Sequence, residues 1–364
     1  MTETSAKAAH PIGLSIRGAR KVYPGTVALK GVDFDIHLGA VNVLVGENGA
    51  GKSTLMKVIA GVEALTEGEI QVDGNVVQFR SKDDAVAHGI GIVFQELNLF
   101  PDLSVANNIF IGREPRRFGI HIDHKLLIER SIALLSRLEQ DIDPESLLGY
   151  LRLGQQQIVE IAKALSQNAR ILILDEPTSA LSSAEVEVLF RLIAELKAQG
   201  VGIVYISHRL EELIRIGDYI TVLRDGEITG YREMSGVDLS WIVQAMIGEK
   251  SKDYSRSVTH EISEEVFRAE GVVLPNQGGR NLVDHVSLNV RGGEIVGVYG
   301  LMGAGRTEFL ECVMGLHDAS SGRYFVERRE LRGKGVAARI ALGIALVPED
   351  RKRDGLIQIM AIRD

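Results

Sequence analysis

Apolar residues fall along this chain in two rhythms. Short unbroken runs, "VNVLV" at 41–45, "RILILD" at 170–175 and "GVGIVYIS" at 200–207, predict strands buried on both faces. Between them lie stretches with apolar positions three and four apart, as in "LRLGQQQIVEIAKAL" at 151–165, where Ile158, Ile161, Ala162 and Leu165 share one helix face. Strands that alternate with helices in this way predict an α/β fold with a parallel sheet covered on both sides. Helix is expected over much of residues 122–166, and a hairpin over "YITVLRDGEITGY" with its turn at Asp225-Gly226, followed by the helix-like "LSWIVQAMIG".

The pattern occurs twice. "GVDFDIHLGAVNVLVGENGAGKSTLMKVIAG", residues 31–61, matches "HVSLNVRGGEIVGVYGLMGAGRTEFLECVMG", residues 285–315, at a fixed shift of 300 − 46 = 254. The same shift carries Gly68 onto Gly322 and "GIGIVFQE" onto "GIALVPED". The run "IVGVY", 295–299, is therefore expected to be a buried strand like "VNVLV". The second copy ends at Asp364, which matches position 110 of the first. A first domain is expected over 12–250, a linker rich in charge over 251–265, and the N-terminal part of a second domain over 266–364.

Composition narrows the function. At 364 residues with 45% hydrophobic and 25% charged residues the chain has the make-up of a globular protein with two cores. A net charge of −8 without any basic stripe speaks against direct binding of nucleic acid. No apolar run approaches the roughly 18 residues of a membrane span, and the start "MTETSAKAAHPIGLSI" lacks a basic region followed by an apolar core, so a cytosolic location is expected. The one cysteine, Cys312, excludes an intrachain disulfide and sits on an apolar helix face as a buried thiol.

The chemistry concentrates in five places. "GENGAGKST" at 46–54 follows a strand and opens a helix, the setting in which glycine N–H groups and a helix N-terminus cradle phosphates. Lys52 reaches the terminal phosphates, and the Ser53 hydroxyl suits Mg²⁺. "RILILDEPTSALS" ends a strand in Asp175, placed to hold Mg²⁺ through water, and Glu176, placed to orient the attacking water. Read alone, this acidic pair also fits a helix start. His208 closes the next strand, in either a structural or a catalytic role, and Gln95 follows another apolar strand as an amide able to sense metal and phosphate. Gly154 stands where a helix N-terminus offers N–H groups to an anion or is simply capped.

The order of these pieces, phosphate loop, Gln95, "LRLGQQQ", "ILILDE", "SALS" and His208, resembles the ATP-binding subunit of an ABC transporter over essentially the whole chain. The altered second loop "GLMGAGRTE" and the run "EDRKRDGL" resemble the sugar-import subfamily that serves ribose, galactose and xylose. The resemblance implies two tandem P-loop ABC-type nucleotide-binding domains, each with a parallel-sheet core, an antiparallel β subdomain and a helical subdomain, the second incomplete. It implies an ATPase that uses ATP and Mg²⁺. Tyr23 would stack on adenine, and Gly46, Asn48, Gly49, Gly51, Lys52, Ser53 and Thr54 would hold phosphate and metal. Asp175, Ser53 and Gln95 would serve the metal, Glu176 would be the catalytic base, and His208 would meet the γ-phosphate. Gly154 and Gln155 would close on a nucleotide held by another nucleotide domain, paired within the chain or in a homodimer. Gly300, Gly303, Gly305, Arg306 and Thr307 would form a second nucleotide loop that hydrolyses poorly, because Arg306 is bulkier than Lys52 and Glu349 stands where Gln95 does in the first copy. The partners implied are integral membrane permease subunits and an external sugar-binding protein, at the cytoplasmic side of the plasma membrane.

Three further places depart from the family pattern. Arg152 replaces the usual signature serine, Ser182 stands where Asp is common, and Pro275 and Asn276 replace the aromatic residue in the second copy. Two rival readings are a tandem ATPase acting on ribosomes or nucleic acid, and a fragment that binds nucleotide without hydrolysing it.

Overall fold

The computed structural model describes residues 10–94, 97–118, 120–248, 261–276, 279–300, 304–331, 335–348, 355, 357 and 360. Contacts divide the chain into two units, Met1–Tyr254 and Ser255–Asp364. Most of the expected linker, residues 251–260, lies outside the described residues.

The first unit opens with the long antiparallel strands β1 (Ile12–Tyr23) and β2 (Thr26–His37) and reaches the buried strand β3 (Val41–Val45), which leads into α1 (Lys52–Ile59). Next come β4 (Glu67–Val72), β5 (Asn75–Val77), α2 (Lys82–Ala87) and β6 (Ile90–Val93). A helical stretch follows, α3 (Val105–Phe110), α4 (His124–Arg137) and α5 (Leu153–Leu165), with a small ribbon of β7 (Arg116–Arg117) and β8 (His121–Ile122) inside it. The chain then alternates through β9 (Ile171–Asp175), α6 (Ser183–Ala198), β10 (Gly202–Ile206) and α7 (Leu210–Ile216). The hairpin β11 (Tyr219–Arg224) and β12 (Glu227–Glu233), then α8 (Leu239–Ile247), complete the unit.

These strands form a six-stranded sheet in the order β12-β11-β3-β10-β9-β6 and an antiparallel sheet in the order β2-β1-β4-β5. All pairings in the first sheet are parallel except β11 with β12. Every residue of β3, β9 and β10 is buried, which explains why their sequences are apolar without alternation. Successive side chains still point to opposite faces. Val41, Val43 and Val45 pack in one core with α3, α5 and α6, while Leu44 joins the other core with β1, β2 and α1. The β11–β12 turn falls on Asp225 (φ 51°) and Gly226 (φ 81°), the double positive φ that a two-residue hairpin of type I′ requires.

The second unit repeats the antiparallel part. Its strands are β13 (Glu265–Leu274), β14 (Val283–Arg291), β15 (Ser321–Val326) and β16 (Arg329–Glu330), in the order β14-β13-β15-β16, with α9 (Arg306–Met314) and α10 (Val336–Ala341). Cys312 lies in its core, 1% exposed.

The expected strand at 295–299 does not form, and residues 294–300 have no regular structure. Ile295 is 93% exposed and Tyr299 97%. Residues 344–348, the counterpart of β6, are irregular as well. The reason is the hydrogen-bond ladder. In the first unit β3 lies between β10 and β11, and β6 pairs with β9. Among the described residues of the second unit no strand pairs with these runs, and a strand's N–H and C=O groups need a partner.

Candidate functional site

The site grows from the C-terminal ends of β3, β9 and β10, where an open α/β sheet presents its ligand crevice. Leaving β3, residues 46–51 make a tight loop whose path only glycine permits at its two ends. A Cβ on Gly46 would stand 2.1 Å from the Leu223 carbonyl oxygen, and one on Gly51 (φ 106°) 2.6 Å from that of Ala28. The helix α1 starts at once on Lys52, so the first-turn N–H groups, which have no intrahelical acceptor, face the loop. Lys52 Nζ donates to the carbonyls of Gly46 (2.7 Å) and Glu47 (3.0 Å). The hairpin turn braces this loop from behind, with Gly226 N bonded to Ala50 O at 3.0 Å and Lys30 N to Gly226 O at 2.9 Å.

Opposite the loop, β9 delivers Asp175, 7% exposed, with its carboxyl pushed up to about 6 by burial and by the neighbouring Glu176 charge, against a smaller pull from Lys52. Burial in turn depresses the Lys52 ammonium, while Asp175 and Glu176 favour its charge. Glu176 has a left-handed backbone (φ 49°), and its N–H bonds to Ile206 O at 2.9 Å. Non-glycine residues held there cost about 1–3 kcal/mol, and such positions cluster at functional sites. His208, on the turn after β10, places Nδ1 3.4 Å from Glu176 Oε1 and leaves most of its ring exposed.

A cavity of 530 Å³ joins the phosphate loop to the acidic pair, and His208 is not part of its wall. Asn48, Gly49, Gly51, Lys52, Ser53 and Thr54 form one wall and Asp175 with Glu176 another. Thr26 to Ala28, Lys30 and the Asp225-Gly226 turn complete it. Its size suits a ligand in the 300–1,000 Å³ class. Tyr23 ends β1 three residues before Thr26 but is not part of the wall, and Lys21 Nζ lies 5.1 Å from the centre of its ring. Gln95 lies outside the described residues.

Gly154 and Gln155 are not brought to this cavity. Gly154 packs against the loop after the acidic pair, where a Cβ would stand 2.9 Å from Ala180 O. Gln155 caps its own helix, its Oε1 accepting from Arg152 N at 3.2 Å, and Arg152 is exposed. Ser182 caps α6, its hydroxyl accepting from Glu185 N at 3.4 Å and donating to Glu185 Oε2 at 2.8 Å. In the second unit Gly305 (φ 84°) repeats Gly51, since a Cβ there would stand 2.3 Å from Leu282 O, and 282 − 28 is again 254. Arg306 and Thr307 begin α9 and are exposed, and Gly300 precedes the loop. Gly303 and Glu349 lie outside the described residues.

Sequence reasoning missed Glu212. Its Oε2 accepts from Thr178 Oγ1 (2.9 Å), Tyr205 Oη (2.9 Å) and Ser207 Oγ (3.2 Å), and Oε1 from Arg209 (3.2 Å). One carboxylate thus ties the segment after Glu176 to the segment that carries His208. Burial and this carboxylate push the Tyr205 phenol well up. Nothing local in the sequence announces the knot, because its members meet only through the sheet.

The sequence profile of the ABC transporter family matches residues 29–179. A ribose import ATP-binding protein of Rhodopirellula baltica is 51% identical over 345 residues, 94% of this chain and 67% of that protein. A ribose import ATP-binding protein of Chromobacterium violaceum is 43% identical over 96% of this chain and 69% of its own length. An arabinose import ATP-binding protein of Yersinia pestis is 43% identical, with 96% and 66% covered. Among solved structures, a nucleotide-free ATP-binding cassette from an ABC transporter superposes with a TM-score of 0.58 at 25% identity, covering 66% of this chain and all of that one. A dimeric cassette in a post-hydrolysis state with ADP and Pi gives 0.55 at 28% identity, covering 62% and 100%.

Proposed function

Because this chain belongs to the ABC transporter family, as an ATP-binding protein, we propose that it hydrolyses ATP to energise uptake of a monosaccharide through a membrane permease. The observation that carries the reading is the single cavity in which the phosphate loop faces Asp175 and Glu176. Relatives named for ribose and arabinose import supply the substrate class.

In this reading the loop N–H groups and Lys52 hold the β- and γ-phosphates. Asp175 and the Ser53 hydroxyl are oxygen donors of the hard kind Mg²⁺ prefers, so the residues present fit the ion. Bound there, Mg²⁺ would neutralise charge on the phosphate oxygens. Glu176 accepts hydrogen from the attacking water, held in place by its bond to β10, and His208 beside it meets the γ-phosphate. Gly154 and Gln155 stand apart from the cavity, which supports their service to a second cassette. Residues 12–250 and 266–364 are read as tandem cassettes joined by 251–265. Among the described residues no helix is long and apolar enough to cross a membrane. Attachment therefore falls to permease subunits, at the cytoplasmic side, with an external binding protein delivering the sugar.

Reconstitution with the cognate permease in vesicles tests the reading. ATP-dependent uptake of a labelled pentose or hexose is expected, together with co-purification from membranes. Co-sedimentation with ribosomes and no uptake would replace it with the ribosomal alternative.

The raised Asp175 carboxyl adds a pH dependence. A proton on Asp175 competes with the metal, so Mg²⁺ affinity of the ATP site should fall as pH drops through about 6. Titrations of Mg²⁺ between pH 5.5 and 7.5 should show this, and Asp175→Asn should flatten the profile. A flat profile in the native chain counts against Asp175 as the metal's holder. The sign for the unliganded fold is opposite. Because the folded pKa exceeds 3.8, the stability this group contributes is full below that pH and is lost as pH rises through about 6.

A further inference from the structure

The core of the second unit contains a charge that has no counter-ion among the described residues. Arg339, on α10, is 5% exposed, and neither its Nε nor its Nη1 has a hydrogen-bond partner. Its guanidinium lies over the Tyr324 ring, 4.3 Å from the centroid. Among the described residues only the Tyr324 phenol favours its charge, and burial opposes it. A buried, unpaired cation is costly, so the position calls for an explanation.

Packing does not supply one. At the shift of 254, Arg339, Tyr324 and Cys312 match Ala85, Ile70 and Val58, which are 1%, 7% and 1% exposed and belong to an apolar core. The same local fold is thus built without any polar atom at these three places.

Arg339 and Tyr324 instead line a cavity of 130 Å³, with Cys312, His317, Asp318 and Ser320. That volume exceeds what one water needs and falls short of a nucleotide site. His317 Nε2 is engaged with Glu311 Oε2 at 2.7 Å, and Ser320 Oγ donates to His317 O at 2.7 Å. The free donors are therefore those of the guanidinium, whose planar fork matches a tetrahedral oxyanion, and the Tyr324 hydroxyl, which also has no hydrogen-bond partner. Asp318 is exposed, where water screens its opposing charge.

We propose that this cavity binds a small tetrahedral oxyanion, inorganic phosphate, with Arg339 as its counter-ion. The site is separate from the phosphate loop and does not depend on the transport reading.

Cys312, the single cysteine of the chain, gives a local probe. It is 1% exposed, so a thiol reagent reaches it only when this region opens. Phosphate held in the cavity should slow modification by a factor of 1 + [L]/Kd, about elevenfold at ten times Kd. Sulfate should protect in the same way, and chloride at equal ionic strength should not. Arg339→Ala, which installs the residue of the first unit, should fold and lose the protection. Arg339→Met, which fills the volume, serves if alanine leaves the core too loose. Equal slowing in the folded variant would show general stabilisation of the native state by salt excluded from its surface and overturn the site, as would a native Cys312 rate indifferent to phosphate.

Discussion

Glu176→Gln is expected to lower ATP turnover of the intact assembly by about 10²–10⁴-fold, the usual worth of a positioned general base. Gln keeps the shape, and the anchor that matters for position is the backbone bond from Glu176 N to Ile206 O, which the substitution leaves alone. ATP binding should survive, because phosphate contacts come from the loop across the cavity. Removing one of two adjacent carboxylates also relieves repulsion toward the triphosphate, so affinity should hold or tighten. Turnover is read with saturating ATP and Mg²⁺, binding with a fluorescent nucleotide. Unchanged turnover would remove Glu176 from the chemistry and leave its strained φ of 49° without a use.

Lys52→Ala should act on binding itself. The ammonium is partly desolvated and faces Asp175 and Glu176, so its removal leaves two carboxylates and the phosphates without their cation. Losing one member of a buried charge pair costs about 2–5 kcal/mol, which translates to roughly 30- to 4,000-fold in ATP affinity. Lys52→Arg separates charge from shape. The Lys52 Nζ bonds to Gly46 O and Glu47 O at 2.7 and 3.0 Å fit a compact ammonium, and a planar fork cannot reproduce both. Binding is therefore expected to persist while turnover drops, the behaviour foreseen for the second loop with Arg306. Full turnover in Lys52→Arg would mean that the arginine at 306 is no obstacle to hydrolysis.

The parts legible in the sequence are those settled by a few neighbouring residues. Gly46 and Gly51 announce the phosphate loop because nothing with a Cβ clears Leu223 O and Ala28 O. Asp225-Gly226 announces its hairpin because both residues take positive φ. The constant shift between the copies likewise foretold the repeated antiparallel sheet. Other features rest on distant partners. "VNVLV" and "IVGVY" carry the same apolar signal, yet among the described residues the first alone has strands to bond with, since hydrophobicity specifies a face and not a ladder. Glu212 looks like any acidic residue in a first helical turn until the sheet brings three hydroxyls to it. Arg339 looks like a surface arginine until α10 turns it inward.

The place of β3 in the middle of its sheet has a consequence for how the chain is made. Val41 pairs with Ile203, a separation of 203 − 41 = 162 residues. At about 5–20 residues per second a ribosome needs on the order of 10–30 s to deliver that partner. For that interval the nascent β3 is an apolar ribbon with open backbone groups, much as residues 295–299 stand in the second unit, and it is exposed to aggregation. Slowing synthesis would lengthen this exposure, so the yield of soluble protein should depend on elongation rate between codons 45 and 206 more than on any later stretch.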